Sequence, residues 1–329
     1  MKGKSNFVLN LLVFFLFIPS ILNAQIDSSN TQQNPPQEKP SSLKQNAYFH
    51  IRGIADESNN GDNTFQIKRA RLEFKGSINT KIKYHLQFEA MQSPVIKDAR
   101  VSFLYIPYIE VKLGQYKVPF SMEELTPAYD FDLIENPKVV SILAPFRDVG
   151  FSIRSDLRWL NAEVGIFNGN GEQLKDNNKK KDFNWRLVLA PSKIYSIGIS
   201  CYNGMNTITN GSQKVDVRKD RLGAEFKFEI DKAFIKSEYI YGKDRNAKSE
   251  GWYIRLAYRV IPNLQAICQY EQWDPNKDIA DNKENILTLG TNLFVDGNNA
   301  KIQLNYLFVN EEGMPIKNNR LNIQLQIMF

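Results

Sequence analysis

The sequence predicts an all-β fold, a transmembrane antiparallel barrel of sixteen strands. Three observations point there. From about residue 46 to the last residue, apolar and polar side chains alternate with period two, the mark of a strand with one apolar and one polar face. Many of the alternating runs are 9–12 residues long, whereas a globular strand averages about 5–6 residues and a membrane-spanning strand needs about 9–11. The connections alternate between tight turns and long polar loops, the layout of a barrel with short turns on one side of a membrane and long loops on the other.

Taken in order, residues 1–24 read as a secretory signal peptide. Lys2 and Lys4 precede the apolar stretch "FVLNLLVFFLFIPSIL", and the small residue Ala24 marks the cleavage site. The residue directly after that point is Gln25 and not a cysteine, which argues against a lipoprotein. Residues 25–45, "QIDSSNTQQNPPQEKPSSLKQ", are rich in Gln, Pro and Ser, lack aromatic residues, and read as a disordered linker before a barrel over 46–329.

The sixteen runs fall at 46–55, 64–76, 81–92, 95–106, 108–117, 148–158, 160–169, 182–190, 194–203, 219–230, 232–243, 250–260, 262–273, 284–295, 299–310 and 319–329. In "GWYIRLAYRV", Trp252, Ile254, Leu256 and Tyr258 stand against Tyr253, Arg255 and Arg259. Tight turns such as "PSK", "IDK" and "IPN" join one set of neighbours, and long polar segments such as "NGNGEQLKDNNKKK" and "NGMNTITNGSQKVDVRK" join most others. The even strand count puts both chain ends on the short-turn, periplasmic side. The final run, "LNIQLQIMF", turns Leu321, Ile323, Leu325 and Ile327 toward lipid and Asn322, Gln324 and Gln326 toward water, with Phe329 in the periplasmic aromatic girdle. A half-buried sandwich also alternates; the signal peptide, strand length and loop asymmetry together favour the barrel.

Composition excludes several classes. After residue 24 there is no run of 18 apolar residues, hence no transmembrane helix. The net charge of +6 falls to about +4 once the two lysines of the leader are removed, which is not the dense basic patch of a nucleic-acid binder. Two cysteines, Cys201 and Cys268, do not make a disulfide framework and read as buried or lipid-facing thiols. No catalytic, phosphate-loop or metal-ligand motif appears, so neither enzyme nor cofactor is expected. The only histidines are His50 and His85, and His85 faces inward in this register. The run Asn168–Asn178 carries oxygen donors but lacks the spacing of a calcium loop and reads as an exposed hydrophilic segment.

The alternation also assigns the lumen. Inward faces carry Arg52, Arg69, Arg71, Lys75, Lys83, Arg100, Lys112, Arg154, Arg186, Arg221, Lys227, Lys236, Arg255, Arg259 and Lys301, fifteen basic positions. Against them stand ten acidic ones: Glu73, Glu89, Asp98, Glu110, Asp156, Glu163, Glu225, Glu229, Glu238 and Glu271. An excess of five positive charges favours anions in a hydrated pore. The competing expectation is that these charges pair across neighbouring strands and select nothing.

"FQIKRARLEFKG", "DARVSFLYIPYIEVKLGQYKVPFSMEEL", "RDVGFSIRSDL" and "VGIFNGNGE" resemble the phosphate-selective porin O and P family of Gram-negative outer membranes. The resemblance is strongest over residues 65–170; the second half matches only in its strand pattern. It implies a sixteen-stranded barrel, a homotrimer, and passage of small ions or inorganic anions by diffusion through an outer-membrane pore. It also implies that residues 118–147, the longest internal connection, fold into the barrel and narrow it, and that the terminal Phe329 is read by the barrel-assembly machinery. Packing of that segment on the rim or on a neighbouring subunit is the other expectation. Arg69, Arg71 and Arg100 lie within the matching segments and are expected to line the wall. The segment Lys117–Asp148 holds three basic residues (Lys117, Lys138, Arg147) and six acidic ones (Glu123, Glu124, Asp130, Asp132, Glu135, Asp148), a net charge of −3 that opposes the lumen excess. The family's arginine ladder and lysine site cannot be placed on this chain residue by residue. A barrel with a plugged lumen, serving as an adhesin or structural surface protein, is the alternative function.

Overall fold

Sixteen alternating runs that each leave one edge unpaired must either aggregate or close, and here they close. The computed structural model describes residues 42–58, 63–210, 213–313 and 317–329. The expected signal peptide, and the linker up to residue 41, lie outside the described residues.

The strands are β1 (Ser42–Asp56), β2 (Thr64–Ser77), β3 (Ile82–Glu89), β4 (Ile96–Ile106), β5 (Ile109–Lys117), β6 (Arg147–Asp156), β7 (Leu160–Phe167) and β8 (Asp182–Leu189). They continue as β9 (Tyr195–Asn210), β10 (Gln213–Ile230), β11 (Ala233–Asp244), β12 (Ala247–Ile261), β13 (Leu264–Asp274), β14 (Glu284–Asp296), β15 (Ala300–Glu311) and β16 (Arg320–Met328). Each pairs antiparallel with its sequence neighbours, and β1 pairs with β16 to close the barrel. Backbone bonds between Ala47 and Phe329, at 2.8 and 2.9 Å, pin the seam.

The barrel is polar inside and apolar outside. On β16, Leu321, Ile323 and Leu325 are exposed while Asn322, Gln324 and Gln326 are buried. Exposed Leu222, Phe226, Ile254, Leu256, Leu289 and Leu304 continue the outer band. A soluble sandwich would bury these residues; a bilayer supplies the apolar solvent they need. Cys201 and Cys268 are free and lie opposite outward Leu222 and Leu256 on the neighbouring strands, on the lipid side. Tyr105, Tyr108, Trp159, Tyr195 and Tyr258 stand exposed beside the short turns, as an aromatic girdle requires.

Three details differ from the sequence reading. β1 begins at Ser42, so the last four residues of the expected linker are strand. The segment 203–219 is not a long loop, because β9 and β10 continue as a hairpin to Asn210 and Gln213. Thr207 of this extension donates to Asp216 across the hairpin at 2.8 Å, and Asn206, Thr207, Thr209 and Asn210 interrupt the apolar period of β9. Finally, the inward amides of β16 are buried rather than turned to water: Gln326 donates to the Tyr129 carbonyl of the β5–β6 segment, and Gln324 bonds Arg52 and Gln303 of the wall.

Candidate functional site: a lumen divided by the β5–β6 segment

The segment between β5 and β6 folds into the lumen. It contains the short helix α1 (Met122–Leu125), a 3-10 turn (Ala128–Asp130) and the helix α2 (Lys138–Leu143). Backbone placed inside a barrel must find hydrogen-bond partners, and the inward side chains of β10 to β16 supply them. Glu238 accepts from the backbone N–H of Met122 (3.0 Å) and Glu123 (2.8 Å), placing a carboxylate at the start of α1, while Ser121 Oγ caps it by accepting from Glu124 N at 3.1 Å. Asn292 donates to the Asp132 carbonyl (2.8 Å), Lys301 to that of Phe131 (3.0 Å), and Gln326 to that of Tyr129 (3.0 Å). Asn305 accepts from Ile134 N at 2.8 Å, and Glu271 from Lys138 N at 2.6 Å.

Apolar contacts add to this. Val118, Phe120, Val139, Val140 and Leu143 of the segment form one buried cluster with Tyr116, Phe167, Tyr202, Ile240, Tyr253 and Trp273 of the wall. Close approach is possible because the wall lacks side chains at the contact points. A Cβ on Gly242 would lie 2.7 Å from Leu143 Cδ2, and one on Gly251 2.8 Å from Val139 Cβ. Gly242→Leu is therefore expected to push α2 off the wall while leaving the barrel intact. Single-channel recording should find an altered conductance from protein that remains heat-modifiable on gels; unchanged conductance would mean that Leu143 simply moves aside.

The acidic residues of the segment face mainly the wall. Glu123 accepts from Arg255 at 2.7 Å, and Asp132 accepts from Arg255 at 2.9 Å and Lys236 at 2.5 Å. Glu135 pairs with Arg52, and Asp130 accepts from Asn298 at 2.8 Å. Burial favours a neutral Asp132, but Arg255 and Lys236 outweigh it and hold the carboxyl below its usual range. Glu124 is deeply buried, which raises its carboxyl, and Lys117 Nζ at 3.9 Å only partly offsets this. Three of the six carboxylates, Glu123, Asp132 and Glu135, thus answer cations of β1, β11 and β12.

Space remains against the opposite wall. An inner chamber of about 470 Å³ is lined by Arg71, Lys75, Arg100, Lys112, Lys117, Arg147, Arg154 and Arg186, eight basic side chains, against three carboxylates, Glu73, Asp98 and Glu163. An outer chamber of about 660 Å³ is lined by Lys68, Arg69, Arg71, Lys97, Lys117 and Arg147 against Glu124, Glu135 and Glu172. Arg71, Lys117, Ala128 and Arg147 line both chambers and stand at their junction. A third space, of about 280 Å³, lies near the short turns on the other side and includes Asp130, Asp132, Arg259 and Lys301.

Cross-strand pairing is extensive in this wall. Arg71 bonds Glu89 (2.8 Å), Lys112 bonds Glu163 (2.9 Å), Arg147 bonds Asp98 (3.0 Å) and Arg186 bonds Glu225 (3.1 Å), while Arg154 pairs with Asp156 along its own strand (2.9 Å). Arg69 and Arg100 instead sit against rings, Phe131 at 5.5 Å and Tyr116 at 5.9 Å, and keep their charge toward the chambers.

The sequence-derived site residues therefore divide. Arg69, Arg71, Arg100, Lys112, Arg154 and Arg186 reach the two main chambers, as do Glu124 and Glu135. Arg221 is buried, donating to the Leu143 carbonyl (3.1 Å) and to Asp244 (2.8 Å), and Arg255 is buried beneath Glu123; the segment covers both. Lys83 is exposed near the short turns and lines none of these spaces, Arg259 lies over Phe294 in the third, and Lys138 pairs with Glu284. Lys68 was not among the inward residues because the β-bulge at His50/Ile51 breaks the alternation beside it. Lys117 and Arg147 reach the junction from the ends of β5 and β6, positions that alternation does not assign. Among the described residues, no group of three or more His, Cys, Asp or Glu is arranged to hold a metal.

A closed sixteen-stranded barrel, apolar outside, with an inward segment and charged chambers, defines the class: a porin-like outer-membrane channel. The chain belongs to the phosphate-selective porin O and P family, whose model matches residues 45–203 and 196–329. A protein of Aquifex aeolicus (strain VF5), described only as uncharacterized, is 24% identical over 294 residues, covering 75% of this chain and 70% of its own. Solved structures share the fold at low identity. The Acinetobacter baumannii outer membrane channel DcaP has a TM-score of 0.66 at 12% identity, over 88% of this chain and 98% of its own. Salmonella typhi OmpF, in complex with daunomycin, gives 0.66 at 12%, over 89% and 100%. Vibrio cholerae OmpT in its trimer form gives 0.63 at 12%, over 88% and 100%.

Proposed function

We propose that the protein is a passive porin of a Gram-negative outer membrane, exported by a leader cleaved near Ala24, and that it prefers small anions, inorganic phosphate among them. The observation carrying this reading is the division of the lumen. The inward segment takes Glu123 and Asp132 to one wall, and none of its carboxylates lines the inner chamber, which has eight basic side chains to three carboxylates of the wall. Cations lining a narrow low-dielectric passage concentrate anions there and repel cations. Pairing takes up much of this field, since seven of the eight have a carboxylate within 4 Å; the positive excess that supports the reading is carried by Arg100 in the inner chamber and by Lys68 and Arg69 in the outer one, which form no ion pair among the described residues. The experiment is single-channel recording in planar bilayers. Stepwise conductance is expected; a folded, heat-modifiable barrel without conductance would favour the plugged, adhesin-like alternative.

The working unit is proposed to be a homotrimer, on the family resemblance and the trimer form of the OmpT neighbour. Native mass determination in mild detergent is expected to give three copies. Phe329 is proposed to serve recognition by the barrel-assembly machinery: it is 77% exposed, and its backbone is paired in the seam. Deleting Phe329 should reduce the amount of assembled barrel in the outer membrane with little change in the conductance of channels that do form. Normal assembly of the truncated chain would remove that role.

A further inference from the structure

Both chambers carry apolar side chains beside their cations. In the inner chamber, Arg100, Lys112 and Arg154 of the wall are joined by Pro119, Leu125, Pro127 and Ala128 of the inward segment. In the outer chamber, Lys68 and Arg69 share the lining with Pro94, Phe131, Phe146 and Leu174. Phe146 and Leu174 are 52% and 51% exposed, although both line the chamber and not the lipid-facing band. Large apolar groups left open beside a cluster of cations are the informative exception on a polar surface. A bare inorganic anion gains nothing from them, because it keeps its hydration better against polar side chains.

We infer that the passage is built for anions that carry an apolar flank, such as aryl phosphates and aryl carboxylates, in preference to inorganic anions of similar charge. The anionic group would travel along the cationic wall, while the flank slides along the proline, leucine and phenylalanine side chains. The inference rests on the anion-preferring reading above and names its substrate class. Arg69 over Phe131 fits it further, since both line the outer chamber and set a cation beside an aromatic ring.

The test is block of the chloride current in planar bilayers by phenyl phosphate and by inorganic phosphate at matched pH and ionic strength. Phenyl phosphate is expected to half-block at a concentration about tenfold lower, the scale on which a small apolar group is discriminated by a matching surface. Phe146→Ser and Leu174→Ser, both at half-exposed positions where the barrel should still fold, are each expected to narrow that gap. Equal block by the two anions, or a gap that survives both substitutions, overturns the inference while the anion reading stands. A cation-selective reversal potential overturns both.

Discussion

Replacing residues 120–145 with a short Gly/Ser linker is expected to raise single-channel conductance by on the order of threefold, because a barrel of this strand number leaves an aqueous channel unless something fills it. The filling here is the inward segment, held by an apolar cluster centred on Phe120, Val139, Val140 and Leu143 and by hydrogen bonds from Asn292, Lys301 and Gln326. The replacement also removes Glu123, Glu124, Asp130, Asp132 and Glu135 while removing a single cation, Lys138. Arg255, Lys236 and Arg52 then lose their partners and face water. The wide pore should remain anion-preferring, though less steeply, since its axis lies farther from the charges. A conductance equal to that of the intact chain would mean that the segment is not the obstruction.

The second large effect is expected at the junction of the chambers. The triple variant Arg71→Gln, Lys117→Gln, Arg147→Gln removes the three cations that line both chambers. It leaves Glu89, Asp98 and Glu124, their partners, without counter-charge. The local field should then change sign, lowering the anion-to-cation permeability ratio by on the order of tenfold, the lower end of what focused charge achieves. Breaking buried pairs costs about 3–5 kcal/mol each, so folding must be checked by heat-modifiability, and Arg100→Gln provides a milder companion. Arg100 has a ring, not a carboxylate, as its neighbour, so that substitution leaves no orphaned acid. A triple variant that folds and keeps the original ratio would place selectivity elsewhere.

The strands were legible because each obeys a local rule. Trp252, Ile254 and Leu256 alternate with Tyr253 and Arg255 within a single run, and the structure keeps those faces. The register of the wall followed, and with it Arg71, Arg100 and Lys112. The inward segment was legible as too apolar for a surface loop, but the destinations of its charges were not. Glu123 meets Arg255 and Asp132 meets Lys236 across more than 100 residues of chain, a pairing with no local signature. For the same reason Gln326, read as facing water, lies under a backbone whose path no alternation encodes. Lys68 escaped through a bulge, and the β9–β10 extension because Asn206, Thr207, Thr209 and Asn210 interrupt the alternation of β9.

The central claim is that the inward segment partitions the lumen so that the open side is cationic. The most direct test is the reversal potential of the intact channel in a KCl gradient across a planar bilayer. A potential with the sign set by chloride, shrinking as ionic strength screens the wall, is the predicted result. A potential with the sign set by potassium would contradict the claim, because the carboxylates of the segment would then govern the passage after all.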